Sequence, residues 1–275
     1  MGRNLNILSQ WRVAGISAIG TSHKQSGAEC QDTWAVNQAV ISANLEVVTA
    51  VCVSDGAGSV KKAFAGARLT AFVVSNWLHE NFSSALTLTQ NQIGKACLAK
   101  IRRSIRRTAE RTRSSPNEYA ATLVAVCVGA NGAWLALHLG DGGIVGEFAN
   151  QVLVVSPPEK GEFANESWFV TSPDALEHLR VYGSPFNRDL CKPTGFVIFS
   201  DGVENSLLDR RTGTVAHAAS VMLGWLREHP SAMVSKALEQ NINMVFREQS
   251  YDDCTIVLMA KPKENQPAYL EANYE

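Results

Sequence analysis

Three apolar stretches of this sequence each run into the same dipeptide, Asp-Gly. They reach Asp55-Gly56, Asp141-Gly142 and Asp201-Gly202, and a fourth apolar stretch begins directly after the acidic pair Asp252-Asp253. A strand that ends in aspartate presents a carboxylate at the rim of a sheet, next to a glycine whose backbone can approach a ligand closely. A single Asp-Gly is also an ordinary turn signal. Its repetition at strand ends is what indicates a site.

The direction of the strands decides whether these carboxylates meet. If the last strand runs antiparallel to the strands that end in aspartate, its beginning lies at the same edge of the sheet as their ends. Carboxylates that close to one another repel, and they are protonated or destabilising unless a cation compensates them. Oxygen ligands without clustered His or Cys suit hard ions such as Mg²⁺ or Mn²⁺. The pattern therefore predicts a divalent-metal site at one rim.

The elements that would position these carboxylates are mostly short strands in close succession, which favours antiparallel sheets over alternating βαβ units. Asn131-Gly132 between two apolar runs is typical of a hairpin. Helical periodicity predicts helices over residues 61–82, 90–113, 214–227 and 231–246. Strands are predicted over residues 11–19, 33–40, 47–55, 121–128, 133–139, 144–148, 151–155, 195–199 and 255–260.

Residues 156–193 are the least periodic part of the chain and contain several prolines. A long irregular insert between regular elements is often a binding loop or lid, and the alternative is a plain surface excursion. We interpret residues 20–32 as a polar loop. Residues 1–275 contain no evident linker or repeat, so we expect a single domain.

The composition excludes some classes of protein. The chain has 275 residues and a formal net charge of -1, whereas a nucleic-acid or membrane-surface protein is expected to be strongly basic. The helix predicted at 90–113 has a basic face, which we interpret as solvated because no aromatic residues interleave with the charges. No apolar run approaches the roughly 20 residues that span a bilayer. The six cysteines are scattered, and we expect a reducing, cytoplasmic setting without nucleic-acid or membrane partners.

The order of these motifs resembles the metal-dependent (PPM, type 2C) serine/threonine protein phosphatases, and Gly-Thr-Ser-His near the start is similar to their bacterial branch. The resemblance covers residues 11–260. It implies an α+β fold, a four-layer αββα sandwich of two antiparallel β-sheets flanked by helices. It also implies hydrolysis of phosphoserine and phosphothreonine in signalling proteins, opposite a Ser/Thr kinase. The motifs are Gln31-Asp32, Asp55-Gly56-Ala57-Gly58, Gly140-Asp141, Ser200-Asp201-Gly202 and Asp252-Asp253-Cys254-Thr255.

The resemblance also implies a role for each strand-end residue. Asp55 would bridge two Mn²⁺ or Mg²⁺ ions, and the carbonyl of Gly56 would contact one of them. Asp201 and Asp252 would complete the shell of the other ion, and Asp141 with Asp201 would help hold a third. Two such ions can lower the pKa of a shared water and clamp the phosphate for in-line attack, so no protein nucleophile is required. The insert at 156–193 would correspond to the family's flap.

The supporting residues depart from the family pattern. Asp32 and Asp253 would support the metal shell from behind. Many members have Glu-Asp where this chain has Gln31-Asp32, so an amide replaces a charged ligand and we expect weaker binding of the second ion. The family's phosphate-binding arginine is absent at its usual spacing. His23 and Lys24 are the candidate phosphate contacts, and Arg12 is a weaker one.

Other functions remain open at this level. The sequence 56–61 imitates a dinucleotide fingerprint, but a lysine stands where the last glycine is needed. A phosphatase fold that binds phosphoproteins without turnover is the main alternative, since Gln31 and the missing arginine weaken the catalytic case. Hydrolysis of a small phosphorylated molecule is a third possibility, because a metal site alone does not select proteins.

Overall fold

The structure is a computed structural model that describes residues 11–41, 46–159, 167–209, 211–244 and 250–262. Its strands lie close to the predicted ones, and three short strands (β8, β10 and β11) are additional. The strands are β1 Arg12–Ala18, β2 Asp32–Ile41, β3 Glu46–Asp55, β4 Leu123–Gly129, β5 Trp134–Leu139, β6 Gly143–Phe148, β7 Gln151–Ser156, β8 Arg180–Gly183, β9 Pro193–Phe199, β10 Leu208–Asp209, β11 Thr214–Val215 and β12 Cys254–Ala260.

The strands form two five-stranded sheets, in the orders β1-β12-β9-β6-β7 and β2-β3-β4-β5-β8, while β10 and β11 form a small hairpin. Every described pair of neighbouring strands is antiparallel. The hairpin between β6 and β7 turns at Ala149 and Asn150, whose positive φ angles of 48° and 65° give the turn a twist that matches the strands. The predicted antiparallel arrangement is confirmed.

Helices cover the outer face of each sheet. One of the two longest, α3, begins with a capping box in which Thr89 and Gln92 each bond the other's backbone N–H, and it ends at Arg113 in the left-handed conformation. The helices are α1 Thr21–Ser26, α2 Ala63–Ala85, α3 Gln90–Thr112, α4 Ala175–His178, α5 Asp201–Leu207, α6 His217–Glu228 and α7 Ser231–Met244. Among the described residues, none of these helices is long and apolar enough to cross a bilayer.

The core has three layers of apolar contact, which confirms the αββα sandwich. Alternate residues of β3 show why: Ala50 and Cys52 pack under α2 and α3, while Val51 and Val53 pack against the other sheet. A strand buried on both faces reads as a continuous apolar run. On the far side, α6 and α7 cover the sheet that contains β9 and β12.

Three elements differ from the prediction. Residues 21–26 form α1 inside the predicted polar loop, and α5 begins at Asp201 itself. Both helices are shorter than the window in which helical periodicity can be detected. Residues 180–183 form β8 and extend the second sheet by pairing with β5, so the insert is not irregular throughout. Residues 160–166 of the insert and the predicted helix end at 245–246 lie outside the described residues.

Candidate active site

The topology brings the predicted carboxylates to one rim of the sandwich. Asp55 ends β3 and Asp141 follows β5, and these strands run in the same direction because each is antiparallel to β4. In the other sheet Asp201 follows β9, and Asp252 precedes β12, which runs antiparallel to β9. The hydrogen bond from Ser200 Oγ to Asp32, which lies opposite Asp55, places the strand ends of both sheets at the same end of the molecule.

The backbone around Asp55 is fixed by Thr122. The N–H of Asp55 donates to Thr122 Oγ1 at 2.9 Å, and the N–H of Thr122 donates back to the Asp55 carbonyl at 2.8 Å. Gly56 then passes against the start of α2, where a Cβ on Gly56 would lie 2.4 Å from the carbonyl carbon of Ala63. Glycine is therefore required at this position for packing, whatever the role of its carbonyl.

Asp32 lies directly opposite Asp55 in the β2–β3 ladder and is 2% exposed. Ser200 Oγ, from the end of β9, donates to Asp32 Oδ2 at 2.6 Å, and the N–H of Thr255 donates to Ser200 Oγ at 2.9 Å. Asp32 thus joins the two sheets at the rim.

Asp253 is the best-anchored carboxylate of the acidic pair. It is 2% exposed and accepts the N–H of Gly20 at Oδ1 and the N–H of Gln31 at Oδ2, each at 2.6 Å. His23 Nδ1 lies 2.9 Å from the same Oδ2. Asp252 is exposed, and its Oδ1 accepts the N–H of Asp253 at 2.8 Å. Asp253 therefore organises the loops, whereas Asp252 remains exposed.

Burial raises the pKa values of two rim carboxylates, Asp55 and Asp32. Loss of hydration raises the pKa of Asp55 well above its usual value, and the charges of Asp32, Asp201 and Asp141 raise it further. Burial also raises the pKa of Asp32, from 3.8 to about 6, although the hydrogen bond from Ser200 opposes the change. Burial is the largest cause of both shifts, and the neighbouring carboxylates add to it at Asp55.

The donor set at the rim fits a hard divalent cation. Gln31 Oε1 is buried yet accepts no hydrogen bond, which leaves an amide oxygen available beside the carboxylates. Within the described ranges, no three His, Cys, Asp or Glu side chains could by themselves hold an ion. Mg²⁺ usually keeps several waters and binds protein through one or two carboxylates. The rim therefore suits such a partly hydrated ion better than an ion enclosed by side chains.

The candidate phosphate contacts lie on α1. His23 has a side chain that is 21% exposed and is oriented by Asp253, while Lys24 is exposed. Arg12 lies at the other end of β1, since it pairs with Ala260 in the register in which Ala18 pairs with Cys254. Its Nη1 donates to the carbonyl of Arg227 at 3.0 Å near the end of α6. Arg12 therefore stabilises a helix end and does not contact the rim.

Two residues that organise the rim were not predicted from the sequence. They are Ser200 and Thr122, which fix Asp32 and Asp55. One signal was available: the tripeptide Ser-Asp-Gly occurs twice, at Ser54 and at Ser200. Both hydroxyls are buried and bonded, since Ser54 Oγ donates to the Thr122 carbonyl at 2.6 Å. Thr122 gave no comparable signal, because the Asp-Gly that it contacts, at Asp55, lies 67 residues away in the sequence.

Comparison with known proteins places this arrangement in a family. A profile of protein phosphatase 2C matches residues 19–243. Serine/threonine-protein phosphatase 3 of Escherichia coli (strain K12) is 25% identical over 199 residues, which are 72% of this chain and 76% of that protein. Serine/threonine phosphatase Stp1 from Staphylococcus aureus shares the fold, with a TM-score of 0.57 and 14% identity over 96% of this chain and 100% of that chain. RsbX, crystallised in complex with magnesium, has a TM-score of 0.54 and 12% identity over 92% of this chain and 96% of that chain. The chain belongs to the protein phosphatase 2C family.

Proposed function

We propose that this protein hydrolyses phosphoserine and phosphothreonine esters in proteins, with Mn²⁺ or Mg²⁺ as cofactor. The observation that carries the proposal is the gathering of carboxylates at one rim, where Asp32 lies opposite Asp55 and accepts a hydrogen bond from Ser200, the neighbour of Asp201 in the other sheet. Family membership supports phosphoester hydrolysis, and the name of the E. coli relative supports serine and threonine as the esterified residues. The magnesium in RsbX supports a divalent ion.

We assign the ligand roles to the strand-end residues. Asp55, Gly56, Asp141, Asp201 and Asp252 would hold two or three ions between them. When bound, such ions supply a water of lowered pKa and a positive clamp for the phosphate. No side chain is required as a nucleophile.

The remaining rim residues orient the site. Asp32 and Asp253 hold the strand ends and the α1 loop through their buried hydrogen bonds, and Gln31 contributes an unbonded amide oxygen. His23, with Nδ1 beside Asp253, keeps Nε2 for a phosphate oxygen, and Lys24 adds a positive charge nearby.

The cellular setting belongs to the same proposal. A Ser/Thr kinase would supply the phosphorylated substrates in a signalling pathway. All six cysteines are free thiols, which supports the cytoplasm as the compartment in which the enzyme acts.

Phosphate release from a phosphothreonine peptide tests the proposal. We expect activity with Mn²⁺, background release after addition of EDTA, and a loss on the order of 100-fold in Asp55→Asn. Asp209→Asn, which changes an exposed aspartate in the β10–β11 hairpin, is the matched control and should retain native activity. Activity that survives chelation would contradict the metal-dependent mechanism. A native chain that is inert with excess Mn²⁺ on several phosphopeptides would instead identify a phosphoprotein-binding module.

A further inference from the structure

A second polar cluster lies beside the rim, and the proposed chemistry does not use it. Its centre is His138 in β5, which is fully buried, three residues before Asp141. His138 Nε2 lies 3.0 Å from the carbonyl of Gly140, and His138 Nδ1 lies 2.7 Å from Ser156 Oγ and 3.1 Å from Arg180 Nη2.

These contacts determine which ring nitrogen of His138 carries the proton. A carbonyl oxygen can only accept a hydrogen bond, so Nε2 must be the protonated nitrogen. Arg180 can only donate, so Nδ1 must be the acceptor. Burial and the adjacent positive charge of Arg180 also lower the pKa of His138 to about 3, which keeps the ring neutral at physiological pH. His138 is therefore a fixed Nε2–H donor to the Gly140 carbonyl.

Gly140 is the point at which three parts of the site meet. Its φ of +110° lies in a region that side-chain-bearing residues rarely adopt, and a Cβ there would come 2.7 Å from Cγ2 of Thr122, the residue that fixes Asp55. The carbonyl of Gly140 also accepts the N–H of Glu159 at 3.2 Å. The position of the Gly140 peptide therefore determines the position of Asp141, which follows β5.

The same cluster holds both described ends of the insert. Arg180 Nη2 donates to the Pro157 carbonyl at 2.8 Å, and Arg180 Nε lies 3.2 Å from Glu159 Oε2. Glu159 Oε1 lies 3.2 Å from His178 Nδ1, and the His178 ring stacks on Trp168 with centroids 3.6 Å apart. The insert is thus tied to the Gly140 peptide from both sides of residues 160–166.

We propose that His138 is a positioning residue that fixes the Gly140 peptide, and with it the metal-binding carboxylate of Asp141, and that Arg180 couples the flap-like insert to the same point. This inference rests on the proposed function, because it assumes that Asp141 contributes to an ion site. Residues behind a metal ligand typically change metal affinity or activity by 10–100-fold when they are replaced. His138 acts one peptide before its ligand, so the lower end of that range applies.

The test is a Mn²⁺ titration followed by the electron paramagnetic resonance signal of free Mn²⁺. We expect Asp141→Asn and His138→Leu to weaken the same binding step, His138→Leu by about tenfold. His138→Gln, whose amide can still donate to the Gly140 carbonyl, should restore most of the affinity. In phosphate release, excess Mn²⁺ should rescue His138→Leu. His217→Leu, which replaces an exposed histidine at the start of α6, is the matched control and should bind like the native chain.

The outcomes separate the two proposals. Suppose that the native chain binds Mn²⁺ and releases phosphate. If a folded His138→Leu then binds Mn²⁺ with native affinity, the positioning role alone is overturned. Absence of Mn²⁺ binding by the native chain would overturn the proposed function and this inference with it. If thermal unfolding shows that His138→Leu is not folded, Arg180→Met replaces it, because it removes the donor to Nδ1 and to Pro157 while leaving His138 in place. Native affinity for the Asp141-dependent step in Arg180→Met would then contradict the coupling.

Discussion

Replacing Asp32 with asparagine should make the metal-free protein more stable at neutral pH. Folding raises the pKa of Asp32 from 3.8 to about 6, so the folded state binds its proton more tightly than the unfolded chain does. The ionised side chain therefore costs stability above about pH 6, and the cost is relieved as the pH falls. A difference of about two pKa units corresponds to about 3 kcal/mol when the group is fully ionised.

The pH dependence follows from the same two values. When the pH falls from 7.5 to 4.5, the free energy of unfolding of the native chain should rise by about 2 kcal/mol relative to that of Asp32→Asn. The reason is that Asp32 is protonated in the folded state at pH 4.5, while the same carboxyl in the unfolded chain is still mostly ionised. Asparagine keeps an oxygen that can accept the hydrogen bond from Ser200 Oγ, so the variant should lose little there. Asp55 loses a repelling neighbour in the variant, which adds to the stabilisation at pH 7.5.

Urea unfolding in EDTA at both pH values measures this difference. Asp209→Asn is the control of opposite sign: the backbone N–H of Arg211 lowers the pKa of this exposed aspartate, so its contribution is lost as the pH falls. Mn²⁺ should remove the advantage of Asp32→Asn, since the ion compensates the charges that the substitution relieves. Parallel changes in native and Asp32→Asn stability between the two pH values would refute the reasoning.

Two further sets of substitutions test the packing, one behind the rim and one at the opposite end of the sandwich. Gly202→Ala should lower the free energy of unfolding in urea by roughly 3 kcal/mol, because the new Cβ would lie 2.0 Å from the Asp253 carbonyl oxygen. Gly27→Ala has open space around its Cβ but a φ of +71°, so it should cost only about 1 kcal/mol. Equal costs for the two variants would contradict this account. Glu147→Ala should cost at most about 3 kcal/mol, because it leaves the half-buried guanidinium of Arg227 without its carboxylate. The double variant with Arg227→Met should recover part of that loss in the same assay.

Some parts of the site were predictable because they depend on local sequence and strand direction. Alternating and continuous apolar runs predicted most of the strands within one or two residues, and antiparallel order followed from their short connections. Once the strands are antiparallel, Asp201 and Asp252 must lie at one edge of their sheet, and Asp55 and Asp141 at one edge of theirs.

Other parts were not predictable because they depend on contacts between distant segments. Helix α1 has no apolar stripe, and the N–H of Ser22 in its first turn donates to the Tyr251 carbonyl, far along the chain. The buried position of Asp253 beside exposed Asp252 could not be decided from two adjacent aspartates, since strand alternation does not say which face is covered at a strand's first residue. Similarly, β8 forms because β5 offers a free edge to residues 180–183.

Charge repulsion at the rim and apolar contacts in the interior have opposite effects on the packing of the two sheets. Ionised carboxylates at the rim push the strand ends apart, and the apolar contacts between the sheets hold them together. Those contacts include Trp134, which packs on Phe196 and Phe148 with centroids 5.5 and 5.6 Å away. Such aromatic pairs contribute beyond the area they bury. Because Asp32 and Ser200 bridge the sheets at this end, the carboxylates are concentrated where a hydrogen bond already joins the sheets, and a bound cation there would relieve their repulsion.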